Sequence, residues 1–197
     1  MKKFIIGSFV SAVILFVWSS LSWTVLPIHT CSFHYTPKQD SIMKVLNGSG
    51  MESGEYMLPT VDNRPGHPVG MMNENYRKEV EELRKSSEGK SFAMLIYNKE
   101  GAHMDPMQFV RGFLIDLLSA MFVVILLAMS KDKLTTFFMR WWAVLLIGFV
   151  VVFNSYLLEW NWLMFPWHFI KGEIIDTVVE WGLIGLWLAW YIKPAKA

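Results

Sequence analysis

Long apolar runs alternate with polar segments along this chain, and four of the runs are long enough to cross a bilayer. A hydrocarbon core of about 30 Å needs roughly 20 apolar residues of helix. The runs are Phe4–Leu26, Met107–Met129, Phe138–Leu158 and Trp167–Ile192. The pattern therefore predicts one transmembrane helix before a long polar segment and three after it.

The polar segment carries shorter patterns that predict a small α+β cap. Helices are predicted at Lys38–Leu46 and Asn73–Ser86, and strands at Gly54–Pro59 and Ser91–Asn98, with a Pro- and Gly-rich loop between the two halves. The predicted fold class is an all-α membrane protein with four transmembrane helices and an extracytoplasmic α+β cap. Its predicted parts are transmembrane helix 1 in residues 1–26, the cap in 27–106, and a three-helix region in 107–197 with spans at 107–129, 138–158 and 167–192.

The distribution of basic residues predicts the orientation. Short loops rich in Lys and Arg stay cytoplasmic, whereas long loops cross the membrane largely regardless of charge. The short basic flanks contain Lys2, Lys3, Lys131, Lys133 and Lys193. Both termini are therefore expected in the cytoplasm and residues 27–106 outside it.

The N-terminus has two interpretations. Two lysines, an apolar run and Ser20-Leu21-Ser22 fit a cleaved secretory signal. The apolar run is longer than a usual signal, and Trp18 and Trp23 suit an interfacial anchor. An uncleaved anchor is the preferred interpretation.

Composition narrows the function classes. A formal net charge of +1 gives no basic footprint for nucleic acid, and a single Cys31 excludes an intramolecular disulfide. The sequence has no phosphate-binding Gly-Lys-Ser/Thr loop, no His-Glu-x-x-His and no Gly-x-Ser-x-Gly motif. A non-catalytic protein without a cofactor is therefore the expected class.

Acidic residues inside two spans are the main candidates for a functional site. A carboxylate inside the membrane is costly, so it is expected either to pair with another polar group or to serve a function. Three of them are three and four residues apart in the last span and share one helix face. Asp116 lies about 15 Å down the second span at the helical rise per residue. The predicted polar intramembrane cluster comprises Arg111, Asp116, Asn154, Glu173, Asp176 and Glu180.

This cluster has two interpretations that spacing alone does not separate. One is a cavity in the outer half of the bundle that binds a proton, a cation or a polar headgroup. The other is a structural network in which Arg111, Lys171, Asn154 and Tyr156 satisfy the acids. In both, Asp116, Asp176 and Glu180 are expected to face the bundle interior.

Histidines and tryptophans give weaker signals. His29, Cys31 and His34 have N and S ligands that zinc accepts, but their spacing matches no familiar site, so no metal is assigned. Trp141 and Trp142 are expected at the inner interface, and the tryptophans around residues 160–167 at the outer one. Plain anchoring is the preferred explanation for this belt.

Three short motifs add a resemblance. They are Trp18-x-x-Leu21-Ser22-Trp23 with Pro27, Gly54-Glu55-Tyr56-Met57-Leu58-Pro59, and Trp160-Asn161-Trp162-x-x-Phe165-Pro166. With them, the chain is similar to a set of uncharacterised bacterial membrane proteins that have one span, an outer loop and three further spans. The resemblance implies a bacterial inner-membrane protein and transfers no activity or functional residue.

Two functions are therefore expected. The first is an accessory subunit, or a lipid- or partner-binding protein, of a larger membrane complex. The second is a small ion-, proton- or substrate-handling membrane protein that uses the polar cluster.

Overall fold

A computed structural model describes residues 2–102 and 105–193, and the chain divides into two compact units. The first unit contains the long helices together with residues 25–35, and the second contains residues 36–102. Residues 27–35, which the sequence placed with the cap, belong to the helical unit.

The second unit is a small α+β structure with the predicted elements in the predicted order. The elements of the whole chain are, in order, α1 (Lys2–Thr24), α2 (Gln39–Gly48), β1 (Gly54–Leu58), α3 (Glu74–Ser87), β2 (Ala93–Tyr97), α4 (Pro106–Met129), α5 (Phe137–Val151), a π-helix (Val152–Tyr156), α6 (Leu157–Trp162) and α7 (Trp167–Tyr191). The strands β1 and β2 pair antiparallel, with Gly54 opposite Tyr97. The Tyr97 hydroxyl donates to the Asn47 side chain at 2.8 Å, which ties this sheet to α2.

Four helices of the first unit are long and apolar enough to cross a membrane, which confirms the predicted number of candidate spans. They are α1, α4, α7 and the continuous helical stretch Phe137–Trp162. The main contacts run from α4 to α1, from α1 to α7, and from α7 to α5. The central pair is therefore α1 and α7, and the acids of α7 meet α1 directly.

Neighbouring helices are antiparallel, which defines two ends of this unit. At the His29 end, α1 finishes and α7 begins; at the Arg140 end, α4 finishes and α5 begins. The buried core cluster lies between the helices towards the Arg140 end. Its members are Leu15, Val123, Val124, Leu127, Val144, Ile184 and Leu188.

At the Arg140 end, the buried side chain of Arg140 joins α5 to α7 and to the loop before α5. The Arg140 side chain donates through Nε and Nη2 to the Ala189 carbonyl at 3.1 and 3.0 Å. It also donates through Nη1 to the carbonyls of Leu134 and Thr135, both at 3.0 Å. Because the last carbonyls of a helix lack intrahelical partners, a buried guanidinium satisfies them and joins α5 to the end of α7.

Close approach of α5 to α7 depends on glycine. A Cβ added at Gly148 would lie 2.7 Å from Cβ of Trp181, and one added at Gly185 would lie 3.1 Å from Cδ1 of Trp141. The Trp141 indole also donates to the Gly182 carbonyl at 3.1 Å. Trp141 therefore contributes to helix packing.

Candidate functional site

A buried histidine–aspartate pair joins the segment after α1 to the first half of α7. His29 Nε2 lies 2.8 Å from Asp176 Oδ2, and the two side chains are only 4% and 9% exposed. His29 is held in a tight turn by a hydrogen bond from the Ser32 amide to the His29 carbonyl, at 2.9 Å. A polar group so deeply buried needs a hydrogen-bond partner, and each of the two side chains supplies it for the other.

The second oxygen of Asp176 is occupied by donors from α1. Ser22 Oγ donates to Asp176 Oδ1 at 2.5 Å, and Trp18 Nε1 donates to the same atom at 3.2 Å. Trp18 and Ser22 are four residues apart, so both side chains lie on the face of α1 that meets α7. Asp176 therefore bonds α1 through Oδ1 and His29 through Oδ2.

Packing fixes the imidazole plane as well as its hydrogen bonds. The rings of Trp23 and His29 stack with centroids 3.8 Å apart and planes 8° from parallel. On α7, a Cβ added at Gly172 would lie 2.8 Å from both Nδ1 and Cε1 of His29. Glycine at 172 is therefore what allows the imidazole to reach Asp176.

Ser32 completes an Asp–His–Ser chain, since its Oγ lies 3.2 Å from His29 Nδ1. A nucleophilic triad has this connectivity, but it also needs a serine hydroxyl open to substrate. Ser32 is buried and belongs to the same short turn as His29. We therefore assign Ser32 to fixing the imidazole, and we assign no hydrolytic activity.

One helical turn further along α7, a second carboxyl group contacts α1. Ser19 Oγ lies 2.7 Å from Glu180 Oε1 and 3.0 Å from the Leu15 carbonyl. A hydroxyl carries a single proton and can donate it to only one acceptor at a time. Ser19 is the donor in both contacts, so its proton can go to Glu180 Oε1 or to the Leu15 carbonyl, which also accepts the helical hydrogen bond from the Ser19 amide.

Asp116 lies on α4 within electrostatic range of Glu180. Its side chain is half-buried. One turn earlier on α4, the ring of Phe113 contacts the ring of Phe16 on α1, with centroids 5.8 Å apart, so this part of α4 lies beside the middle of α1. Within the described ranges 2–102 and 105–193, Asp116 has no ion-pair partner. Neither Asp116 nor Glu180 has a basic side chain within ion-pair distance in these ranges.

Glu173 lies at the start of this series of acids. It is half-buried beside Tyr156 of the π-helix. Since Glu173, Asp176 and Glu180 are spaced three and four apart, they follow one side of α7 from the His29 end towards its middle.

Two residues of the predicted cluster lie elsewhere, and our expectation that they satisfy the acids needs correction. Arg111 is exposed, and its Nη2 lies 3.7 Å from Asp105 Oδ2 at the start of α4. Asn154 is exposed on the π-helix, on the side opposite buried Gly148 and Val152.

Sequence reasoning missed the basic partner of the cluster. His29 was noted with Cys31 and His34 as possible metal ligands, yet its contact is with a residue 147 positions away. In the described part of the chain, no three His, Cys, Asp or Glu side chains form a group that could hold a metal ion. The short connection from Thr24 to His29 was the available signal, because it keeps this imidazole near the end of α1.

Comparisons with protein-family models, curated proteins and solved structures found no match to this chain.

Proposed function

We propose that this chain is a small polytopic membrane protein that takes up protons from the extracytoplasmic side through carboxyl groups of α4 and α7. The observation that carries the proposal is the pair of contacts made by Ser19. Its hydroxyl can donate to an ionised Glu180, or accept from a protonated one while donating to the Leu15 carbonyl. Glu180 therefore keeps a hydrogen-bond partner in both protonation states, as a group that takes up and releases protons requires.

The arrangement of the acids supports movement of a proton along α7. Asp176 and Glu180 are four residues apart, about 6 Å along the helix. Asp116 on α4 is the next carboxyl group that interacts electrostatically with Glu180. Ionisable residues inside a span commonly mark ion or proton pathways. A proton entering near His29 would therefore meet Asp176, then Glu180, then Asp116.

The orientation in this proposal comes from the basic loops, which favour a cytoplasmic Arg140 end and an extracytoplasmic His29 end. Reporter fusions test it. A cytoplasmic reporter should be active at Ser130, and a periplasmic reporter should be active at Gly50. Periplasmic activity at Ser130 would reverse the side from which protons enter.

Infrared difference spectroscopy of the reconstituted protein tests proton uptake. A pH step should change the carbonyl stretch of protonated carboxyl groups, and Glu180→Gln should remove part of that signal. Glu88→Gln is the matched control, because Glu88 is exposed just after α3. If the Glu180→Gln and Glu88→Gln spectra change alike, proton binding at Glu180 is refuted.

A second candidate function is an accessory subunit of a larger membrane complex, and exposed Asn154 favours it. An amide facing acyl chains lacks hydrogen-bond partners, and polar side chains of this kind join helices within membranes. Asn154 lies on the π-helix, well inside the candidate span Phe137–Trp162. A partner helix that bonds this amide would remove the unfavourable exposure.

Purification in a mild detergent, followed by mass spectrometry, tests this second function. Asn154→Leu should release a co-purifying membrane protein, whereas Asn161→Leu, at an exposed asparagine near the end of α6, should retain it. Recovery of the wild-type chain alone, with neither protein nor lipid, would count against an accessory role.

A further inference from the structure

Serines continue along α1 beyond the carboxyl groups and towards the Arg140 end. Ser8, Ser11, Leu15, Ser19 and Ser22 are separated by three or four residues, so they share one face of the helix. Ser19 and Ser22 on this face contact Glu180 and Asp176 of α7. The face therefore presents hydroxyl groups to α7 on both sides of a single leucine.

The two serines beyond Leu15 are buried without partners. Ser8 is 2% exposed and Ser11 is 0% exposed, and neither Oγ has a hydrogen-bond partner in the described part of the chain. An unsatisfied buried hydroxyl costs about 1–3 kcal/mol. Buried polar groups of this kind are commonly satisfied by internal water. Ser8 and Ser11 are three residues apart, so the two hydroxyls are neighbours on the same face of α1.

Leu15 separates these hydroxyls from the acids. It is 4% exposed and belongs to the core cluster with Ile184 and Leu188. The eight residues from Ser11 to Ser19 span about 12 Å of helix, with Leu15 halfway between them. A hydrophobic constriction of this size stops conduction by excluding water.

We propose that α1 and α7 enclose two polar half-paths for protons, closed to each other by Leu15. One half-path holds Asp176, Glu180 and nearby Asp116; the other holds water bound by Ser8 and Ser11. This inference rests on the proposed function, since the first half-path is the proton-uptake site. It adds a route towards the Arg140 end and names the residue that closes it.

The test is proton leakage into vesicles that contain the protein and a trapped pH-sensitive dye. Leu15→Ala should increase the leak several-fold over wild type, because water can then join Ser11 to Ser19. Leu127→Ala is the matched control, since Leu127 is equally buried in the same core cluster but lies on α4. Adding Ser8→Ala and Ser11→Ala to the Leu15→Ala chain should return the leak to the Leu127→Ala level.

The proposal is overturned if Leu15→Ala and Leu127→Ala give the same rate of proton leakage. It is also overturned if replacing the two serines leaves the leakage through Leu15→Ala unchanged. A second measurement covers the case in which Leu15→Ala does not fold. In water-edited solid-state NMR of the wild type, Ser8 and Ser11 should gain magnetisation from water faster than fully buried Val144. Equal rates would also overturn the proposal.

These outcomes are separable from failure of the proposed function. Proton binding at Glu180 is measured by infrared spectroscopy in a protein with Leu15 in place. A normal Glu180 signal with no leak through Leu15→Ala leaves proton uptake standing and removes only the second half-path.

Discussion

Replacement of Asp176 should reveal how strongly the histidine–carboxylate centre holds α1 and the following turn against α7. Asp176→Ala removes the acceptor of three hydrogen bonds, from His29, Ser22 and Trp18. Removing one partner of a buried ion pair costs about 3–5 kcal/mol, because the other group is left uncompensated. We expect the free energy of unfolding to fall by that amount.

Asp176→Asn is the discriminating comparison. Its carbonyl oxygen keeps the acceptor for Ser22 and Trp18, and its amide can donate to Nε2 of neutral His29. The imidazole then carries its proton on Nδ1 and donates to Ser32. Since the shape and all bonds survive while the charge is lost, the expected cost is only about 1–2 kcal/mol.

Reversible unfolding in mixed detergent micelles, followed by tryptophan fluorescence, measures both values. A double-mutant cycle that combines Asp176→Ala with His29→Ala then isolates the coupling free energy between the two side chains. Because the double variant removes both buried groups, its loss should be smaller than the sum of the two single losses. Equal destabilisation by Asp176→Ala and Asp176→Asn, or strict additivity in the cycle, would refute the ion-pair argument.

Three further predictions concern Gly172, Arg140 and Glu81. Gly172→Ala should displace the imidazole of the centre, because the new methyl group would lie 2.8 Å from two ring atoms, and histidine NMR shifts would report the change. Arg140→Lys should lower stability in the same unfolding assay by about 1–3 kcal/mol, because an ammonium lacks the planar fork that bonds three carbonyls. In α3, the hydrogen bond from the Arg84 guanidinium lowers the pKa of Glu81 to about 2. Its contribution to folding should therefore be complete above the ordinary glutamate pKa and lost as pH falls through about 2, and an NMR titration of Glu81 with a midpoint near 4 would contradict this.

The elements follow from local pattern, which is why the sequence predicts them. Apolar runs of sufficient length become the four long helices, and the alternation around Tyr56 and Leu95 becomes the paired strands. The i, i+3 and i+4 spacing of Glu173, Asp176 and Glu180 likewise predicts a shared helix side. Each of these inferences uses interactions within one element, and the period of that element is set by its own backbone.

The partners of those residues follow from tertiary packing, which spacing cannot supply. Whether Asp176 meets Arg111 or His29 depends on which helices are adjacent and where the turn after α1 lies. Asn154 likewise lies on the exposed side of its helix, because the side that faces α7 is the one carrying Val144, Gly148 and Val152.

The sequence by itself therefore determined the number of long helices, the cap elements and the side of α7 that carries acids. The tertiary structure alone decided that His29 pairs with Asp176 and that Ser19 contacts Glu180. The physical reason is the separation along the chain of the residues that interact. Helix periodicity is encoded by neighbours three or four residues apart, whereas these contacts join residues brought together only when α1 packs against α7.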